Sequence, residues 1–180
     1  MKLITAQTQW FAELPEVKAH LEESTDDNDA YIQELIYAVQ SSVEESCDLG
    51  LNEATWEEYY DKFPDEIEIW KWPVASIESV KYTDGDGNSQ TVTSSNYATD
   101  LVNKPARIYP LSDYSWPDVR DTVNAVQIQF KTGFTSPAVI PGDLKQALYM
   151  MVSDWFDNRE DRGRRFQRVA EKILNKYKYR

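Results

Sequence analysis

The sequence predicts an α+β chain: a helical bundle interrupted by an inserted antiparallel β subdomain and ending in a protruding basic C-terminal helix. Three observations predict it. Apolar residues recur at helical spacing before about residue 55 and again after Pro141. Between those stretches the period falls to two, in short β-branched and aromatic runs punctuated by Pro and Gly. The last 22 residues hold nine Lys/Arg against three Asp/Glu, a net of +6, whereas the other 158 hold ten against 28, a net of −18.

Along the chain, ELPEVKAHLE at 13–22 predicts a short helix. Pro15 suits a first turn that needs no amide donor, and Leu14, Val17 and Leu21 share a face. STDDND then offers N-cap residues for a longer helix, in which Ile32, Leu35, Ile36, Val39, Val43 and Cys47 form a stripe that ends near Gly50. The runs WEEYYDKF, EIEIWKW, SIESVKYT, TVTSSNY, ARIYPL and AVQIQFKTG read as strands. TDGDGNS between two of them reads as a hairpin turn. After Pro141, Leu144, Ala147, Leu148, Met151, Val152, Trp155 and Phe156 return to i, i+3, i+4, i+7 spacing. Gly163 breaks or bends that helix, and Phe166, Val169, Ala170, Ile173, Leu174 and Tyr177 then lie on one stripe. The predicted division is 1–54 for the N-terminal helices, 55–135 for the β-rich insertion, 136–160 for the returning bundle helix and 161–180 for a basic docking helix. Each bundle helix has one apolar face, so the helices on either side of the insertion are expected to pack on one another.

Composition removes several function classes. With 180 residues, 41% of them hydrophobic, and six Trp, the chain has material for a real core. No apolar run approaches the roughly 20 residues of a membrane span, and the N-terminus lacks a signal-peptide layout, so a soluble intracellular product is expected. Cys47 and His20 each stand alone, which leaves no intrachain disulfide and no His-rich metal site, and argues against a Ser-His-Asp machine. Asp84–Asn88 opens like a calcium loop, but the twelfth position is Ser95 where a bidentate Glu is required, so turn chemistry is the reading. Asp113, Asp118 and Asp121 gather loosely around SWPDVRD, with nothing to separate their proton affinities as acid–base work requires. No glycine-rich phosphate loop exists. No catalytic residue, metal or cofactor is expected.

Two features suggest contact surfaces. Trp70 and Trp72 in EIEIWKW share a strand face and serve either as core or as a subunit interface. The tail admits four readings: a plug for a protein groove, a helix folded on its own body, a nucleic-acid arm, or a membrane-surface helix. Anionic lipid repels a −18 body, which weakens the last. A nucleic-acid-binding accessory protein, gripping phosphates with Arg164, Arg165, Arg168 and Lys172, remains the alternative. The protein groove leads, with Phe166, Val169, Ile173, Leu174 and Tyr177 as anchors and Arg162, Arg164, Arg165, Arg168, Lys172 and Lys176 as the steering rim.

The collinear order of MKLITAQT, LPEVKAHLE, DDNDAYIQELIYAVQSSVEESC, TWEEYYDKFPDEIEIWKWPVASIESVKYTDGDGNSQTV, AVQIQFKTGF and IPGDLKQALYMMVSDWFDNRE resembles the bacteriophage head–tail connector (adaptor) proteins of long-tailed phages. The resemblance covers residues 1–160 and brings no catalytic motif. It implies a virion protein, assembled in the host cytoplasm, that forms a ring, typically of twelve copies, beneath the portal protein. Such a ring extends the DNA channel without binding DNA specifically, and its tail side receives a stopper or tail terminator protein. It further implies that the C-terminal segment reaches into the portal.

Overall fold

The computed structural model describes residues 1–158 and 168–178. Its elements, in chain order, are β1 (Lys2–Thr5), α1 (Leu14–Leu21), α2 (Asp29–Cys47), β2 (Ala54–Tyr60), β3 (Ile67–Ile69), β4 (Val74–Thr83), β5 (Ser89–Thr91), β6 (Tyr97–Asp100), β7 (Ala106–Pro110), β8 (Val126–Thr132), α3 (Gly142–Asp157) and α4 (Arg168–Leu174). They divide into two compact units. One comprises Met1–Gln7 and Glu53–Gly133, the other Thr8–Asn52 and Phe134–Arg180. Among the described residues, no helix is long and apolar enough to cross a membrane.

The helical unit forms where the 3.6-residue period is strongest. α1 starts with Pro15 in its first turn, and the Glu13 N–H donates to Glu16 Oε2 across 3.4 Å. The stripe of α2 is buried as expected at Ile32, Leu35, Ile36, Val39, Val43 and Cys47. The helix stops at Asp48, which takes the left-handed conformation (φ 51°) ahead of Gly50. Leu144, Ala147, Leu148, Met151 and Val152 bury the facing side of α3, and α2 and α3 pack together. At the far end of α3, the Tyr31 hydroxyl donates to the Trp155 carbonyl across 3.2 Å.

One polar residue sits inside the α2 stripe. Gln40 is fully buried, and its Oε1 accepts from the Phe11 N–H (2.8 Å) and from Asn52 Nδ2 (3.4 Å). Its Nε2 donates to Glu44 Oε1 (3.2 Å), which also accepts from the Leu51 N–H (2.8 Å). The network ties the segment entering α1 to the segment leaving α2. Asn52 also bridges Phe134, so the points where the chain leaves and re-enters this unit are joined.

The β unit holds two antiparallel sheets, ordered β1-β2-β8-β4-β5 and β3-β7-β6. β8 lies at the centre of the larger sheet and alternates buried and half-buried residues along its length, with Val126, Ile128 and Phe130 inward. Phe130 lies opposite both Trp56 on β2 and Ile77 on β4. Ile67, Ile69, Ala106 and Ile108 of the smaller sheet join the same buried cluster.

Four expectations are corrected here. Residues 2–5, placed with the bundle, form an edge strand on β2 with every side chain exposed. TVTSSNY is not one strand. It splits into β5, a 3₁₀ turn at Ser94–Asn96 and β6, because the chain changes sheets there. The strand in EIEIWKW ends at Ile69, leaving Trp70 beyond it. The described part of the C-terminal helix does not protrude, since α4 packs along α3.

Replacing Gln40 with Leu leaves the buried Phe11 N–H without its acceptor. The expected cost is about 1–3 kcal/mol, read as a lower urea midpoint by far-UV circular dichroism. An unchanged midpoint would show that the network contributes nothing.

Candidate functional site

The sites weighed for chemistry have ordinary structural roles. Asp84 accepts from the Asp86 and Asn88 N–H groups (3.1 and 2.9 Å) and from Gln90 Nε2 (2.8 Å), closing the β4–β5 turn, while Gly87 takes φ +91°. The Gln90 hydrogen bond leads those that hold the Asp84 carboxyl below its usual range. Asp113, Asp118 and Asp121 are exposed in the loop between β7 and β8. His20 stacks on Tyr149 at 5.0 Å between ring centroids. Among the described residues no group of three or more His, Cys, Asp or Glu side chains is placed to hold a metal. Trp72 is half-buried, and Trp70 is 37% exposed. Between them in sequence, Lys71 lies over the Trp56 ring at 4.6 Å.

The C-terminal helix offers the more distinctive arrangement. Within α4, Ala170 and Leu174 are buried at helical i, i+4 spacing, and the Leu174 carbonyl lies 3.9 Å from Cys47 Sγ. Val169 is 54% exposed. Ile173 is half-buried, and Arg168 and Lys172 are exposed. The single stripe read from the sequence is therefore two rows, one on the bundle and one facing away from it. Arg162, Arg164, Arg165 and Phe166 lie outside the described residues.

Past α4 the chain turns and is gripped by one carboxylate. Asp143, in the first turn of α3, accepts the Tyr177 hydroxyl at Oδ1 (2.5 Å) and pairs through Oδ2 with Lys176 Nζ (3.0 Å). The Tyr177 hydrogen bond, then Lys176, holds the Asp143 carboxyl below its ordinary 3.8. Burial, then the hydrogen bond to Asp143, pushes the Tyr177 hydroxyl well up. Sequence reasoning missed Asp143. Its only signal was an acidic residue at a helix start, which complements the macrodipole in any helix, and its partners lie 33 and 34 residues away.

No family model and no curated protein matches this chain. Solved structures do. A chain in the neck of an empty gene transfer agent particle, computed with C6 symmetry, superposes with a TM-score of 0.80 at 19% identity, covering 100% of this chain and 96% of that one. This is the fold of a gene transfer agent neck chain. The virion of the native particle contains a chain matching at 0.80 and 18% identity, and the native neck computed with C12 symmetry one at 0.75 and 21%, each with the same coverage. The likeness to the neck fold spans both units.

The depressed Asp143 carboxyl sets the pH dependence of its contacts. A group whose folded value is lowered contributes fully above its unfolded value, near 3.8. It loses that contribution as pH falls through the folded value. The melting-temperature gap between wild type and Asp143→Ala is therefore expected to hold steady from about pH 8 to pH 5 and to close in stronger acid. A gap that widens in acid would contradict the arrangement.

Proposed function

We propose that this chain is a structural head–tail connector (adaptor) of a phage-like virion. It forms a ring under the portal, extends the DNA channel and gives the tail-side stopper or terminator its platform. The observation that carries this reading is the neck-type fold, matched over the whole chain at a TM-score of 0.80. The neighbours' sixfold and twelvefold symmetries favour a ring. Closing a ring needs heterologous contacts between unlike faces of neighbouring copies, and exposed Trp70 is the aromatic proposed to lie in such a contact, with Trp72 beside it in sequence. The role is structural rather than enzymatic, exercised in the virion after assembly in the host cytoplasm.

Charge supports the division of labour. A body of net −18 repels phosphate, which suits a lumen through which DNA slides without adhering. The cationic tail suits an acidic socket on the portal.

Portal binding, duplex binding and ring assembly test the reading. Reversing Arg168 and Lys172 to Glu is expected to weaken binding to the cognate portal ring by roughly tenfold with the circular dichroism unchanged. Portal binding unaffected by removal of residues 160–180 would refute the docking. Tight duplex binding with a steep salt slope, lost on mutating Arg164, Arg165 and Arg168, would instead favour the nucleic-acid reading. Trp70→Ala is expected to reduce ring formation, measured by native mass spectrometry, while leaving the monomer folded. Rings of undiminished yield would remove Trp70 from the interface.

A further inference from the structure

We infer that Asp143 is the positioning residue of the docking surface: it fixes α4 on α3, so that Arg168, Val169, Lys172 and Ile173 form one preset cationic edge. Lys176 and Tyr177 then serve this clasp and not the partner. The inference rests on the portal-docking reading for what the edge meets, an acidic groove with an apolar floor.

The seven described residues of α4 would not hold a helix together in water by themselves, because nucleation outweighs the few hydrogen bonds they gain. α4 therefore depends on what it leans against. It buries Ala170 and Leu174 fully, and the first of these is a small side chain. The polar grip comes from the carboxylate of Asp143, which takes both the Tyr177 hydroxyl and the Lys176 ammonium just beyond the helix end.

Three parallel rows run along α4 at i, i+4 spacing. Ala170 and Leu174 face the bundle. Val169 and Ile173 form the next row, and Arg168 and Lys172 the one after, both charged residues exposed. The apolar and cationic outer rows are thus adjacent, with the helix still seated. Presenting them from a fixed helix avoids the ordering cost that a free tail pays on binding. Charge complementarity selects the occupant, since a cationic row beside Val169 and Ile173 fits carboxylates beside an apolar floor.

The test uses the full chain in two measurements. Hydrogen exchange of the α4 amides is expected to rise by roughly tenfold in Asp143→Ala and less in Tyr177→Phe. Asp143→Glu should restore part of the protection. Binding to the cognate portal ring should weaken in the same order, whereas Val169→Ala weakens binding with α4 protection unchanged. Unaltered exchange in Asp143→Ala would overturn the clasp. Tighter portal binding by that variant would overturn the presentation role, because the clasp would then be withholding the helix. A wild-type chain that ignores the portal refutes the docking reading and the presentation role with it, while exchange still decides the clasp.

Discussion

The helical unit depends on the meeting of α2 and α3. Each has one apolar stripe, and the two stripes remove each other from water: Ile32, Leu35, Ile36, Val39 and Val43 on one side, Leu144, Leu148, Met151 and Val152 on the other. α1, at eight residues, and the seven described residues of α4 are too short to persist alone. Both lean on this pair, α1 on α2 and α3, and α4 on α3. The Gln40 network and the Asn52–Phe134 bridge close the unit across the point where the chain departs for the sheets. That closure joins the two points of the bundle between which the chain runs through Glu53–Gly133.

The inserted unit solves its own burial problem. β8 comes last in the insertion yet occupies the middle of the larger sheet, so the sheet is complete only when the far end of the segment has folded. Its apolar inward residues, Val126, Ile128 and Phe130, share a core with residues from both sheets. The long loop after β7 contributes Tyr114, Trp116 and Val119 to the edge of that core, with Trp116 stacked on Phe63 at 4.7 Å.

Local periodicity made the elements legible and left their pairing hidden. The stripes of α2 and α3 were readable residue by residue, because burial and the 3.6-residue period agree there. Most strand runs were readable too. β1 was not, because four exposed residues at a sheet edge carry no alternation that burial has imposed. The order of strands was not readable either, since β8 pairs with β2 some seventy residues earlier, a choice no local pattern encodes. In the tail, the charge was plain in the sequence, but the orientation was not. Val169 and Ala170 are neighbours, and only the contact with α3 decides that Ala170 turns inward. The Asp143 clasp joins residues with no shared motif, so it emerges only from the fold.

Charge segregation and the clasp together make the tail a surface with a direction. Under the proposed connector role, an acidic body would keep DNA moving and a cationic edge would meet an acidic partner, provided that edge stays where α3 puts it. An electron cryo-microscopy map of this chain with the proposed portal partner tests that claim most directly. The expected map shows a ring in which Arg168 and Lys172 face portal carboxylates while Lys176 remains paired with Asp143. A map with α4 remote from the portal, or detached from α3, would contradict it.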